Sequence, residues 1–289
     1  MNVVFLSSQN YTNASSCNYG DCVLIDTGSE LVIYDCGSEE HAKRVLEYMR
    51  TNNYSRVKVV LSHNDNDHFA GIQTLIDNGK VSDIYTLLLY KHWDEILELL
   101  DDDRVTKTSL IHRISDEFDN ISSLSQKAKL HDTIDESEIC NGVYIVGPKR
   151  EYVLNAVAKL LDHAESNNID NDTIANAVSC HVKICFRNKS LLLCGDSNYE
   201  AVKDIIKTFS AIQLPHHGKY DHASKIISDV DALRTSFFVS DNTGDSNGGS
   251  DELMKQYNCG YRIFNTIKSD QICNDEIISV NPIGSLGIY

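Results

Sequence analysis

The most informative segment of the chain is Ser62-His-Asn-Asp-Asn-Asp-His-Phe-Ala-Gly71. It follows Val57-Lys-Val-Val-Leu-Ser62, an apolar run that predicts a buried strand. Burying carboxylates together with imidazoles is costly unless cations compensate them, so such a segment favours a metal site. As an isolated run it is equally typical of a polar turn with two surface histidines. The side chains able to bind a metal are His63, Asp65, Asp67 and His68.

Two later segments repeat this arrangement of polar residues behind an apolar run. Leu191-Leu-Leu-Cys-Gly-Asp-Ser197 places Asp196 at the carboxyl end of a predicted strand, and Leu214-Pro-His-His-Gly218 places His216 and His217 behind another. Each signal is weak alone, because Gly-Asp after a strand is usually a turn and adjacent histidines are usually surface residues. Three strands that each deliver His or Asp at the carboxyl end predict one shared site.

The order of predicted elements indicates mixed α and β layers. Strands at 3–6, 21–26 and 31–36 precede a helix at 39–52 and a strand at 57–62. Residues 91–175 are more helical and acidic, and the β pattern returns after residue 176. We expect one domain over residues 1–289, with a helical insertion at about 91–141 that covers the cleft or forms a partner surface. A protein partner or a homo-oligomer is compatible with the sequence.

Composition excludes several classes of protein. The chain has 289 residues, with 26 Lys+Arg against 42 Asp+Glu and a net charge of −16, which argues against an extended basic groove for nucleic acid. Its nine cysteines form no C-x-x-C pair and mostly lie in apolar runs, as expected for reduced thiols in a cytoplasmic protein. No segment approaches the roughly 18 apolar residues of a membrane span.

Taken in order, these motifs resemble the metallo-β-lactamase fold. The loop signature H-x-H-x-D-H of that fold is present here as H-x-D-x-D-H. The motif set is most similar to the ComEC-like branch, the soluble hydrolase domain associated with DNA-uptake membrane proteins. Early elements of that branch match Gly20-Asp-Cys-Val-Leu-Ile25 and Leu31-Val-Ile-Tyr-Asp-Cys-Gly37, and a later one matches Asn176-Ala-Val-Ser179. The resemblance implies an α/β (α+β) chain folded as a four-layer αββα sandwich.

The resemblance also implies two divalent metal ions, Zn²⁺ or Mn²⁺. His217 or His216 would complete the second site, and spacing does not choose between them. Asn176 stands where other members have a third first-site histidine, so this site is richer in oxygen and admits Mn²⁺. The other implied ligands are His63 and Asp65 for the first ion, Asp67 and His68 for the second, and Asp196 between the two.

Further roles follow from the same resemblance. Two such ions lower the pKa of a water and polarise a phosphoryl or carbonyl oxygen, while Asp67 and Asp196 fix the geometry. His222 is the candidate catalytic proton donor, with Lys219 as the alternative. Asp21 and Asp35 would support the metal ligands from behind. The chain departs from the family where Lys219 replaces the usual Ser after His-His-Gly, and where 248–249 are Gly-Gly rather than His-Pro.

Three functions are compatible with these residues. The first is a metal-dependent phosphodiesterase or nuclease. The second is a hydrolase of a small ester, lactone or thioester, because one fold hosts many chemistries. The third is an effector or accessory subunit of a larger assembly, such as a defence system, whose activity a partner controls. The acidic composition favours a short or small substrate, or a partner that supplies the positive face.

Overall fold

The computed structural model describes residues 1–7, 20–100, 105–112, 127–162, 173–241, 249–257 and 260–279. The strands in these residues are β1 Asn2–Phe5, β2 Val23–Asp26, β3 Leu31–Tyr34, β4 Val57–Val60, β5 Val81–Thr86, β6 Lys129–Asp132, β7 Ser137–Cys140, β8 Val143–Gly147, β9 His181–Cys185, β10 Ser190–Leu193, β11 Ala211–Gln213, β12 Ser236–Val239, β13 Arg262–Asn265 and β14 Gln271–Asn274.

These strands form two seven-stranded sheets with the same pairing pattern. The first sheet has the order β14-β1-β2-β3-β4-β5-β6, and its first three pairs are antiparallel and its last three parallel. The second sheet, taken from β7 to β13, repeats that sequence of pairings. The first parallel pair is therefore β3/β4 in one sheet and β10/β11 in the other. Parallel strands end at the same edge, so each of these pairs brings two carboxyl ends together.

Helices cover the outer face of each sheet, and three apolar clusters separate the layers. The α-helices in the described residues are α1 Glu39–Thr51, α2 Asn66–Phe69, α3 Ile72–Asp77, α4 Trp93–Glu98, α5 Arg150–Asp162, α6 Ile174–Ala177, α7 Tyr199–Val202, α8 Tyr220–Asp229, α9 Asp251–Tyr257 and α10 Asp275–Ser279. Helices α1, α3, α4 and α5 pack on the first sheet, while α7, α8 and α9 pack on the second. The predicted αββα sandwich is confirmed.

The space between the sheets is filled by large side chains from both inner faces. Phe5 of β1 stacks on Phe238 of β12 with ring centroids 4.7 Å apart. In β3, Val32 and Tyr34 face this inter-sheet core, whereas Leu31 and Ile33 face the helices. Because both faces of the sheet are covered, the strand reads as a continuous apolar run rather than an alternating one.

The helical insertion predicted at about 91–141 requires correction. It contains α4 and helical residues at 107–112, but β6 and β7 also fall within it and extend one sheet each. Both are short edge strands with the polar sequences Lys-Leu-His-Asp and Ser-Glu-Ile-Cys. Edge strands of this kind carry no apolar run, so periodicity does not reveal them. Among the described residues, no helix is both long and apolar enough to cross a lipid bilayer.

A buried hydrogen bond joins the two sheets near their ligand-bearing edge. The Tyr34 hydroxyl donates to the Cys180 carbonyl at 2.7 Å, and the Cys180 backbone N–H donates to the Ser62 carbonyl at 2.9 Å. Tyr34 and Cys180 are at most 1% exposed. The segment that opens β9 is thus held against the ends of β3 and β4.

Replacing Tyr34→Phe should lower the free energy of unfolding by about 1–3 kcal/mol, because the buried Cys180 carbonyl loses its donor. Urea denaturation of the metal-free protein measures this change. Tyr85→Phe is the matched control, since the Tyr85 hydroxyl makes no hydrogen bond within the part of the chain that the structure describes. Equal stability of the two variants would show that the Tyr34 bond does not connect the sheets.

Candidate metal centre

The predicted ligands meet at one edge of the sandwich. The β4 strand leads to His63, and the one-turn helix α2 behind it carries Asp67 and His68. In the second sheet, β10 leads to Asp196 and β11 to His217. The centre therefore lies at the carboxyl ends of the first parallel pair of each sheet.

Three overlapping groups of side chains have ligand atoms within 4.8 Å of one another. His68 Nε2 is 3.3 Å from Asp196 Oδ1. His217 Nε2 is 3.3 Å from Asp67 Oδ2 and 3.6 Å from Asp196 Oδ2, so Asp196 faces both imidazoles. The groups are His63, His68 and Asp196; Asp67, His68 and His217; and Asp21, Asp196 and His217.

The donor atoms fit a divalent cation. His63 Nε2, His68 Nε2 and Asp196 Oδ1 are buried and have no hydrogen-bond partner among the described residues. Buried polar atoms are normally paired, and these three converge on one point. A set of imidazole nitrogens and carboxylate oxygens suits Zn²⁺ or Mn²⁺. The residues present would therefore hold such an ion.

Asp35 orients the two histidines of the first loop. Its Oδ2 accepts hydrogen bonds from His68 Nδ1 at 2.8 Å and from the Ser62 hydroxyl at 2.7 Å, and its Oδ1 accepts from the Ser62 backbone N–H. The Ser62 hydroxyl in turn lies 3.0 Å from His63 Nδ1. Because Nδ1 of each ring is engaged, Nε2 is the nitrogen that faces the centre. The expected supporting role of Asp35 agrees with these contacts.

Asp35 reaches this position through an unusual backbone conformation. Its φ is 58°, in the left-handed region that side chains other than glycine seldom adopt. The side chains of β3 alternate between the two faces of the sheet up to Tyr34, so the next side chain toward the helices should be that of residue 35. Instead, Cys36 occupies the helix side. The left-handed residue thus shifts the alternation by one and turns its carboxylate to the centre.

Glycines at two positions allow the Asp67 backbone to lie between β-strand ends. The Asp67 carbonyl accepts a hydrogen bond from the Asp21 N–H at 2.8 Å. A Cβ on Gly20 or on Gly37 would lie 1.7 Å from that carbonyl oxygen. Only glycine leaves room at either place, which explains why both early motifs contain one.

His217 lies in a left-handed turn. Both His216 and His217 have positive φ, 51° and 54°, and Gly218 follows with 80°. His217 Nδ1 is 3.0 Å from the Ser240 carbonyl and 3.3 Å from Asp21 Oδ1, which leaves Nε2 toward the centre. His217 is buried and belongs to two candidate groups, whereas His216 is half-buried and belongs to none. The geometry therefore favours His217 as the ligand.

Besides His216, three predicted site residues lie apart from these groups. The Asp65 side chain is 46% exposed, with Oδ2 3.5 Å from His63 Nε2, so it sits at the rim. The Asn176 Oδ1 accepts a hydrogen bond from the Thr173 hydroxyl at 2.9 Å. His222 is buried on α8, and its Nδ1 accepts from the Tyr199 N–H at 3.3 Å. These contacts give no support to His222 as a proton donor. Residue 248, the first of the two glycines that replace the His-Pro of the family, lies outside the described residues.

Two residues that hold the side chains of the centre in place, Ser179 and Gln213, were not predicted from the sequence. The Ser179 hydroxyl accepts from the Asp196 N–H at 3.3 Å and lies 3.2 Å from His63 Nδ1. The Gln213 side chain donates to Asp21 Oδ2 at 3.1 Å, and its own oxygen accepts from the Cys194 N–H. Ser179 belongs to the Asn176-Ala-Val-Ser179 motif, and this motif was the signal in the sequence that could have identified it. Gln213 lies within a short apolar strand, and nothing in its pattern marks it.

The carboxylates shift the ionisation of the imidazoles. Burial alone lowers the pKa of His68, but the charges of Asp196 and Asp35 outweigh it and raise that pKa well above its ordinary value. His217 behaves alike, with Asp196 and Asp21 opposing burial. Burial raises the pKa of Asp67, but its hydrogen bond with His217 and the charge of His68 bring it well below the usual range. Without a metal, protons on the histidines compensate the carboxylates.

Asp35→Asn should weaken metal binding about 10- to 100-fold, because the amide cannot provide the charge that holds the His68 ring. Competition with a chromophoric chelator measures the affinity. Asp83→Asn is the matched control, since Asp83 pairs with His131 in the same sheet at 2.8 Å but does not belong to a candidate metal group. An Asp35→Asn affinity equal to that of Asp83→Asn would contradict the assigned role.

Metal binding should release protons and strengthen with rising pH until the pH passes the raised pKa values of His68 and His217, and then level off. A protonated imidazole has no lone pair for a metal, so each released proton changes the affinity about tenfold per pH unit. Calorimetry at one pH in buffers of different ionisation enthalpy counts the protons. His131→Gln serves as the control and should release as many. Heats that do not depend on the buffer would contradict this assignment.

Comparison with known proteins agrees with the architecture. Residues 16–132 match the family model of the metallo-beta-lactamase superfamily. No curated protein sequence gives a significant match. Among solved structures, the chain resembles the metallo-beta-lactamase fold protein YhfI from Bacillus subtilis, with TM-score 0.54 and 12% identity over 95% of this chain and 100% of that one.

Two further structures show the same likeness. Tm1679, described as a metal-dependent hydrolase of the beta-lactamase superfamily, has TM-score 0.54 and 15% identity over 95% of this chain and 100% of its own. Igni18, described as a metallo hydrolase from the archaeon Ignicoccus hospitalis KIN4/I, has TM-score 0.50 and 12% identity over 95% and 99%. The chain therefore has the metallo-β-lactamase fold, with the match to the superfamily model in residues 16–132.

Proposed function

We propose that this chain is a metal-dependent hydrolase that cleaves phosphodiester bonds, as a phosphodiesterase or nuclease. The observation that carries the proposal is the convergence of unpaired, buried histidine and aspartate atoms on one point at the edge of the sandwich. Tm1679 and Igni18, which share the fold, are described as metal-dependent hydrolases, and this supports metal-dependent hydrolysis as the reaction class. The ComEC-like motifs favour phosphodiesters within that class.

The residues of the chain divide the work of such a site. Divalent ions held there would supply a water of lowered pKa and polarise a phosphoryl oxygen of the substrate. Asp196 faces both His68 and His217, so one carboxylate serves both sides of the centre. Asp35, through His68 and Ser62, fixes the direction in which the imidazole nitrogens point.

The charge of the chain favours a short substrate. With a net charge of −16, the chain offers little attraction to a long polyanion, so the metal ions would provide most of the positive charge that binds the phosphate. Binding through the ions alone suits a small phosphodiester or the end of a strand. A protein partner that supplies a basic face is the alternative route to a longer substrate.

Wild-type protein loaded with Zn²⁺ or Mn²⁺ should hydrolyse bis(p-nitrophenyl) phosphate, and Asp196→Asn should lower kcat/KM by at least about a thousandfold because it weakens both sides of the centre. The release of p-nitrophenolate measures the rate. Cleavage of single-stranded DNA is assayed separately to test for nuclease activity. Asp83→Asn is the control, with activity near wild type.

A panel of lactones and thioesters is assayed alongside. Cleavage of a lactone or thioester without cleavage of any phosphodiester would reject the proposed substrate and retain a metal-dependent hydrolase. No hydrolysis of any of these compounds by the metal-loaded protein would reject the enzyme itself.

A further inference from the structure

The two sides of the centre differ in how many buried ligands they offer. On one side, Asp67, His68 and His217 form a complete candidate group with Asp196 beside it. On the other side, His63 also belongs to a candidate group, but its partners there, His68 and Asp196, are shared with the first side. The second protein ligand implied there, Asp65, is 46% exposed, against 30% for Asp67.

The two sides also differ in how firmly their ligands are held. The Asp67 backbone is enclosed by Gly20 and Gly37, and His68 donates to the buried Asp35. His217 Nδ1 is fixed by the Ser240 carbonyl and the Asp21 carboxylate. Ligands that the surrounding structure has already oriented bind a metal more tightly than ligands that must be ordered on binding.

The His63 side has weaker support from its neighbours. Only hydroxyl groups, those of Ser62 and Ser179, lie within hydrogen-bond distance of His63 Nδ1 among the described residues. The side-chain oxygen of Asn176, which the resemblance implies as a ligand of this side, accepts a hydrogen bond from the Thr173 hydroxyl at 2.9 Å. With His63, the exposed Asp65 and a shared Asp196, this side leaves several coordination positions to be filled from outside the chain.

We propose that the centre binds its two metal ions unequally. Asp67, His68 and His217 retain one divalent ion, whereas the side of His63 and Asp65 takes an exchangeable ion whose coordination is completed by an oxygen of an anionic substrate. The second part rests on the proposed function, because a phosphoester supplies that oxygen. The first part concerns only the ligands of this chain.

The test measures metal per chain without reference to activity. Metal-free protein is incubated with excess Zn²⁺ or Mn²⁺, desalted, and analysed by native mass spectrometry and elemental analysis. Wild type should retain about one ion per chain, and about two when inorganic phosphate is present throughout. His68→Ala should lose the retained ion, whereas His63→Ala should keep it and no longer gain a second with phosphate. Circular dichroism confirms that each variant is folded.

The outcomes separate the parts of the proposal. Two ions retained by wild type without phosphate would overturn the inequality of the two sides. If wild type retains one ion both with and without phosphate, the proposal that a substrate oxygen completes the coordination of the second ion is wrong. Failure to cleave phosphodiesters would reject the proposed function and leave the measured stoichiometry standing.

Discussion

Three carboxylates that are almost wholly buried, those of Asp21, Asp35 and Asp196, lie at one edge of the sandwich, and each is at most 3% exposed. Among the described residues, no lysine or arginine forms an ion pair with any of the three. Their charge is compensated by the imidazoles of His68 and His217, while Nε2 of His63 and Nε2 of His68 have no hydrogen-bond partner among the described residues. Buried charge of this density is costly unless cations are present, so the centre constrains the fold around it to be compatible with a metal.

The fold meets this constraint by joining two sheets. The ends of β3 and β4 deliver Asp35 and the histidines that it orients, and the ends of β10 and β11 deliver Asp196 and His217. Cross-links between these two sets of side chains fix their separation: Tyr34 bonds to the backbone of residue 180, and Gln213 bonds to Asp21. At Asp35 and His217, left-handed backbone turns the side chain out of the regular strand direction and toward the centre.

Sequence patterns predicted the layers and most of the side chains that meet at the centre, because both depend on local signals. Apolar runs mark buried strands, and the polar residues directly behind them mark the strand ends. The edge strands β6 and β7 were missed because an edge has no apolar pattern to display. The choice between His216 and His217 depends on a left-handed turn and on the Ser240 carbonyl of a distant strand, neither of which spacing encodes.

The inequality of the two sides has a geometric consequence for the approach of a substrate. Asp67, His68 and His217 are backed by protein, whereas Asp65 is at the rim with nearly half of its side chain exposed. A ligand from solvent therefore meets the His63 side first, where the chain itself supplies the fewest donors. In a chain with a net charge of −16, an incompletely coordinated cation at this rim is the strongest local attraction for a phosphate. The scarcity of ligands that weakens one metal position is thus also what opens it to the substrate.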